Sequence, residues 1–187
     1  KLMNNCAENE ALKTNSDGNN VMLIRRVLQQ ATDHYPRLSA LGFTLQYANC
    51  HSCDNVQQGN AQLLRFHAEA YCRIGEYSKI RIEAGKPSQP TVLRWLWEAE
   101  STSTCRMMML FNLGVCRHPR YDSSARDGIQ EVMSLLVAAW REVEPNGELT
   151  EIKVHRIERT KPTAFDKRYA ELRDAALQIA SPVAFAR

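Results

Sequence analysis

The stretch Arg94 to Asn112, RWLWEAESTSTCRMMMLFN, decides how the rest of the chain is read. Leu93, Trp95 and Trp97 fall on one face of an extended segment, because side chains alternate along a strand. A short polar turn follows, and then a second extended segment. From Met107 to Leu113 that segment is apolar on both faces, as a central strand would be. The pair predicts two strands joined by a turn, the second lying inside its sheet.

Upstream of this pair, Val21, Ile24, Val27, Leu28, Ala31 and Tyr35 recur at three- and four-residue steps, which predicts an amphipathic helix stopped at Pro36. Leu41, Phe43, Leu45 and Tyr47 alternate with Gly42, Thr44 and Gln46, the period of a strand. The polar segment Asn49 to Asn60 reads as a loop. A second helix runs from about Ala61 to Ile74, burying Leu63, Leu64, Phe66, Ala70 and Tyr71. Downstream, a third helix spans about Ser124 to Trp140, with Ile129, Val132, Met133, Leu136 and Trp140 as its inner stripe. Pro145-Asn146-Gly147 makes a turn, Thr150 to Ile157 a strand, and Phe165 to Ala180 a last helix. The order is helix, then β-α-β-β-α-β, then helix. It predicts an α+β fold with a ferredoxin-like split antiparallel sheet, two helices on one face, and an extra helix at either end.

The 187 residues suit one domain with a real core. The expected division is a polar, partly mobile lead-in over residues 1–19 and a single domain over 20–187. A net charge of +3 is mildly basic, compatible with nucleic acid without arguing for it. No apolar run approaches the roughly 20 residues of a membrane-spanning helix. The first twenty residues lack the charged-then-apolar order of a secretory signal. Six cysteines scattered among core-forming residues suggest a reducing, cytoplasmic setting.

Four features are candidates for chemistry. Cys50-His51-Ser52-Cys53 offers a C-x-x-C pair in a polar loop, with Cys116 and His118 as the nearest further ligands, but C-x-H spacing is not a recurrent zinc half-site. Trp95 and Trp97 could stack bases, although aromatics on a central strand more often pack beneath a helix, and the Met107 to Met109 run reads as core. Arg117, Arg120 and Arg126 flank the third helix, while Lys153, Arg156, Arg159, Lys161, Lys167 and Arg168 run through the last strand and the loop after it. Such groups hold phosphates, but Glu151, Glu158 and Asp166 are interspersed, so a solvated mixed face reads almost as well. Tyr169 sits on the last helix with no metal or base identified beside it. No glycine loop, paired-histidine site or nucleophile–base spacing appears, and no cofactor is implied.

Three stretches carry a resemblance. His34-Tyr35-Pro36-Arg37-Leu38 leads into the first strand, Trp95-Leu96-Trp97-Glu98 precedes a hydrophobic strand ending in Asn112, and Arg168-Tyr169 opens a helix reaching Ala180. From about Leu23 to Arg187 the chain resembles the YagK/YfjJ family of prophage and inovirus-type replication-associated proteins, which look related to HUH replication initiators. The resemblance implies the same split sheet. It also implies two strand histidines that hold a divalent metal against the scissile phosphate, and a helical tyrosine that attacks it. Here the histidine positions fall at about Thr104 and Arg106, and the tyrosine position at about Gln178. A hydroxyl and a permanently charged guanidinium cannot replace two imidazoles.

The expectation is therefore a non-catalytic, HUH-like mobile-element protein that binds single-stranded or hairpin DNA, or RNA, in replication or its regulation. Arg106, Arg117, Arg120 and Lys153 are the expected phosphate contacts, with affinity that weakens steeply in salt. The rival is a protein-binding inhibitor or adaptor acting on a host or phage protein. A third reading keeps a nicking enzyme, with Tyr169 attacking and metal held by His118, His155 or the Cys50–Cys53 loop.

Overall fold

The computed structural model of the chain describes residues 4–48, 56–85, 93–98, 103–112 and 128–186. Four helices and five strands follow the order α1 (Asn4–His34), β1 (Arg37–Gln46), α2 (Val56–Glu83), β2 (Arg94–Glu98), β3 (Thr104–Asn112), α3 (Ile129–Val143), β4 (Glu148–Glu158), α4 (Pro162–Ala176) and β5 (Pro182–Ala186). The strands form one antiparallel sheet in the order β4-β1-β3-β2-β5. β3 lies between β1 and β2, so β1-α2-β2 and β3-α3-β4 are two interlocked split crossovers. This is the expected ferredoxin-like sheet, with β5 added outside β2.

The periodicity of β1 and β3 explains why the sheet is covered twice. Leu41, Phe43, Leu45 and Tyr47 on β1 and just beyond it, with Cys105, Met107, Met109 and Phe111 on β3, pack beneath α2 and α3. Leu38, Ala40, Met108 and Leu110 face the other way and pack with α1 and α4. The two terminal helices are thus the second layer of cover. Trp95 is fully buried and Trp97 nearly so, which places them in the core under α2 and off any base-stacking surface. Phe66 meets the rings of Phe43, Trp95 and Trp140 edge-on at 5.8–6.2 Å.

Several boundaries differ from those expected. α1 starts at Asn4, so most of the polar 1–19 stretch continues a helix. α2 extends both ways, to Val56 and Glu83, with Leu63, Phe66, Ala70 and Ile74 as its buried stripe; Leu64 and Tyr71 are exposed. α4 begins three residues early because Pro162 fits the first turn, where no amide partner is needed. It ends at Ala176, and residues expected at its end make a turn into β5. No helix among the described residues is long and apolar enough to cross a membrane.

Candidate functional site

The sheet face that carries α1 and α4 is apolar over most of its area and polar at one end. Met108 and Leu110 of β3 are buried there, while Thr104 and Arg106, further along the same face, are exposed. Pairing sets like-facing residues of neighbouring strands side by side. Thr44 lies opposite both Arg106 and Thr150, Gln46 opposite both Thr104 and Glu148, and Gly42 opposite both Met108 and Lys153. The polar end is therefore a terrace of hydroxyl, amide and charged groups spread over β4, β1 and β3.

Two features shape this terrace. The first is Gly42, a residue without a side chain in the middle of a central strand, where an added Cβ would meet only Met108 Cε and the Lys153 carbonyl at 4.0 Å, so the face is notched there by about one methyl group. The second is a bulge. Between the Gly42–Lys153 and Thr44–Thr150 pairs, β1 spends one residue where β4 spends two, Glu151 and Ile152. Glu151 takes φ = 54°, the left-handed region that favours glycine, and the bulge turns its side chain toward Thr44. The Thr44 hydroxyl donates to Glu151 Oε2 at 2.7 Å.

Arg106 is anchored from two directions. Its backbone N–H donates to Glu98 Oε2 at 3.3 Å, and its Nη1 donates to the Gln178 carbonyl at 3.2 Å. That carbonyl belongs to the turn after α4, where the negative end of the helix dipole favours a cation. Glu98 Oε1 accepts the Ala180 N–H at 3.3 Å, so one carboxylate ties the β2–β3 pair to the start of β5. The positions that the resemblance assigns to the second histidine and the tyrosine thus adjoin in space, occupied here by Arg106 and Gln178. Thr104 and Arg106 supply a hydroxyl and a cation, which do not fit a divalent metal.

The other candidates disperse. Lys153 joins the terrace. Tyr169 is half-buried, stacked on Phe165 with ring centroids 5.8 Å apart. It lines a groove of ≈ 420 Å³ between α1 and α4 with Gln29, Thr32, Arg159, Pro162 and Asp166, and Arg159 is ion-paired with Asp33. Among the described residues the ring contact of Tyr169 is with Phe165, and no hydrogen bond joins it to Arg106, Lys153 or Glu151. Arg117, Arg120, Cys50, Cys53, Cys116 and His118 lie outside the described residues. Among the described residues no three His, Cys, Asp or Glu side chains cluster to hold a metal ion.

Two titratable groups of the sheet have shifted affinities for protons. Burial, aided by the Glu98 charge, pushes the Cys105 thiol up to about 12, which removes it as a nucleophile at neutral pH. His155, on β4 facing α4, is held below the usual histidine value, first by burial and then by Lys153, with Glu171 partly offsetting both. Among the described residues its buried Nε2 has no hydrogen-bond partner. The bulge and the Arg106–Gln178 contact were hidden from the sequence, because one needs a glutamate at positive φ and the other joins residues 72 apart. Of the terrace residues that sequence reasoning missed, Gly42 carried a signal, as a glycine between Leu41 and Phe43 inside a strand.

No curated protein and no solved structure matches the chain. Residues 10–157 match a family model, and the chain belongs to the family described as "Uncharacterised conserved protein UCP030791".

Proposed function

We propose that the chain is a non-catalytic nucleic-acid-binding domain that holds a single strand across the polar terrace. The observation that carries this reading is the Gly42 notch, flanked by exposed cations on the strands to either side, Lys153 and Arg106. A glycine inside a strand often marks a bulge, such as the one that follows Gly42 here, or close approach by a ligand or a neighbouring backbone. Packing does not require one here, since a Cβ at Gly42 would meet nothing closer than 4.0 Å. Lys153 and Arg106 then act as phosphate contacts, and Thr104 and Gln46 add neutral hydrogen-bonding groups.

Descent from an HUH nicking domain of a mobile element, with a retained role in replication or its regulation, is supported by the adjoining of Arg106 and Gln178. Loss of nicking is supported by the donor set at Thr104 and Arg106, which rejects a divalent cation, and by Tyr169 lining the α1–α4 groove, whose other lining residues do not include Thr104 or Arg106. The test is a gel shift with labelled 20-nucleotide single strands and hairpins at low salt. Lys153→Glu should weaken binding about tenfold, since it replaces an attraction with a repulsion. Absence of any shift by the unaltered chain at low salt would remove the reading.

A second reading, a protein-binding adaptor, is favoured by β4. This strand is the edge of the sheet among the described residues, and it leaves Ile152 and Val154 each 40% exposed. A partner that stays bound in a nuclease-treated pull-down and is lost with Val154→Pro would favour it over the first.

A further inference from the structure

Glu151 is an unexpected residue at its position. A left-handed bulge position is filled at least cost by glycine, and a glutamate there is held in strain that the surrounding structure must impose. Among the described residues the side chain so placed makes no ion pair. It lies over the α1/α4 face, where Thr44 donates to Oε2 and leaves Oε1 to accept another hydrogen bond. Thr44 sits directly opposite Arg106, so the carboxylate and the guanidinium flank one central threonine across three adjacent strands. With strands about 4.8 Å apart, the backbones carrying the two groups lie roughly 10 Å apart, and both side chains are exposed and long enough to reach inward.

A carboxylate is a poor neighbour for a phosphate backbone unless the ligand brings it a donor. Within the sugar–phosphate backbone, ribose does so and deoxyribose does not, because the 2′-hydroxyl is the one backbone group of an internal nucleotide that can donate to Oε1. Resting on the nucleic-acid reading above, we infer that the terrace selects single-stranded RNA over DNA. A phosphate lies at the Gly42 notch between Arg106 and Lys153, and the 2′-hydroxyl of the adjoining ribose donates to Glu151. The carboxylate contributes twice, by attracting the ribose and by leaving an unpaired negative charge against deoxyribose strands.

The test is fluorescence anisotropy of the full chain with fluorescein-labelled oligo(U) and oligo(dU) 20-mers of identical sequence. Oligo(U) should bind about tenfold tighter, the worth of one hydrogen bond to a charged acceptor. Glu151→Gly removes the carboxylate while supplying the residue the backbone prefers, so the chain should melt no lower and the two strands should bind alike. A wild-type ratio near one overturns the inference and leaves the nucleic-acid reading standing. A tenfold ratio that persists in Glu151→Gly also overturns it, because the discrimination then lies elsewhere. If neither strand binds, both readings fail together.

Discussion

Gly42 lies within the sheet and Gly147 just before β4, and the reasons for the two glycines are opposite. At Gly147 a Cβ would stand 2.5 Å from Trp140 Nε1, 2.7 Å from Glu144 Cγ and 2.9 Å from the Gln46 carbonyl. Trp140 Nε1 donates to that same carbonyl at 3.2 Å, so a methyl group would push apart a hydrogen bond that fixes α3 against the end of β1. Gly147→Ala should cost about 1–3 kcal/mol, as overpacking does. That lowers the melting temperature by roughly 2–4 °C per kcal/mol for a chain of this size. At Gly42 the added methyl finds ordinary contact at 4.0 Å from Met108 Cε and the Lys153 carbonyl. Gly42→Ala should therefore melt at the same temperature or higher, since glycine in a strand interior costs about 0.5–1 kcal/mol relative to alanine. If the notch receives a phosphate, the same variant should bind single strands several-fold more weakly. Thermal melts read by circular dichroism and anisotropy titrations on the two variants separate space needed for folding from space needed for a ligand.

Among the elements, β1 and β2 were legible from the alternation of their apolar residues, and β3 from a short run apolar on both faces beside a turn. β5 was not, since Pro182 to Ala186 is too short to establish a period and takes its conformation from β2 and from Phe185 stacked on Trp97 at 5.4 Å. The start of α1 was also hidden, its first part being too polar to show an inner stripe. β4 was found, but its bulge was not, because no glycine or asparagine announces a left-handed residue. β4 and α4 together give the fold a pH dependence of definite sign. His155 lies between them, and its folded affinity for a proton is below the ordinary value of roughly 6.5, chiefly through burial. Below that value the unfolded chain binds a proton that the folded chain resists. The stabilisation is full above about pH 6.5 and is lost as pH falls toward the lower folded value. The urea midpoint should drop between pH 7.5 and pH 5.5, and His155→Leu, which cannot titrate, should show a smaller drop. Equal drops in the two proteins would assign the effect to other groups.

At the scale of the whole molecule, the terrace is assembled from residues that the sequence keeps far apart: Gly42 and Thr44 on β1, Arg106 on β3, Glu151 and Lys153 on β4, and Gln178 beyond α4. The sequence supplied Arg106 and Lys153 as members of a wider basic set, but charge along the chain does not report which charges share a face. β3 shows the difference. It runs from Thr104 at the terrace to Asn112 opposite Leu38, eight residues on, or roughly 27 Å at the rise of a strand. The net charge of +3 adds little long-range attraction, so the number of phosphates contacted should govern the response to salt. For single strands the logarithm of affinity falls against the logarithm of salt concentration with a slope of about −0.7 per neutralised phosphate. Two contacts, Arg106 and Lys153, predict a slope of about −1.4, shallower than the steep fall expected from four basic contacts. Lys153→Ala should halve it, while joint replacement of Arg117 and Arg120 by alanine should leave it unchanged. A wild-type slope near −2.8 that falls in the double variant would instead place the two arginines on the bound strand, and with it move the interface beyond the terrace.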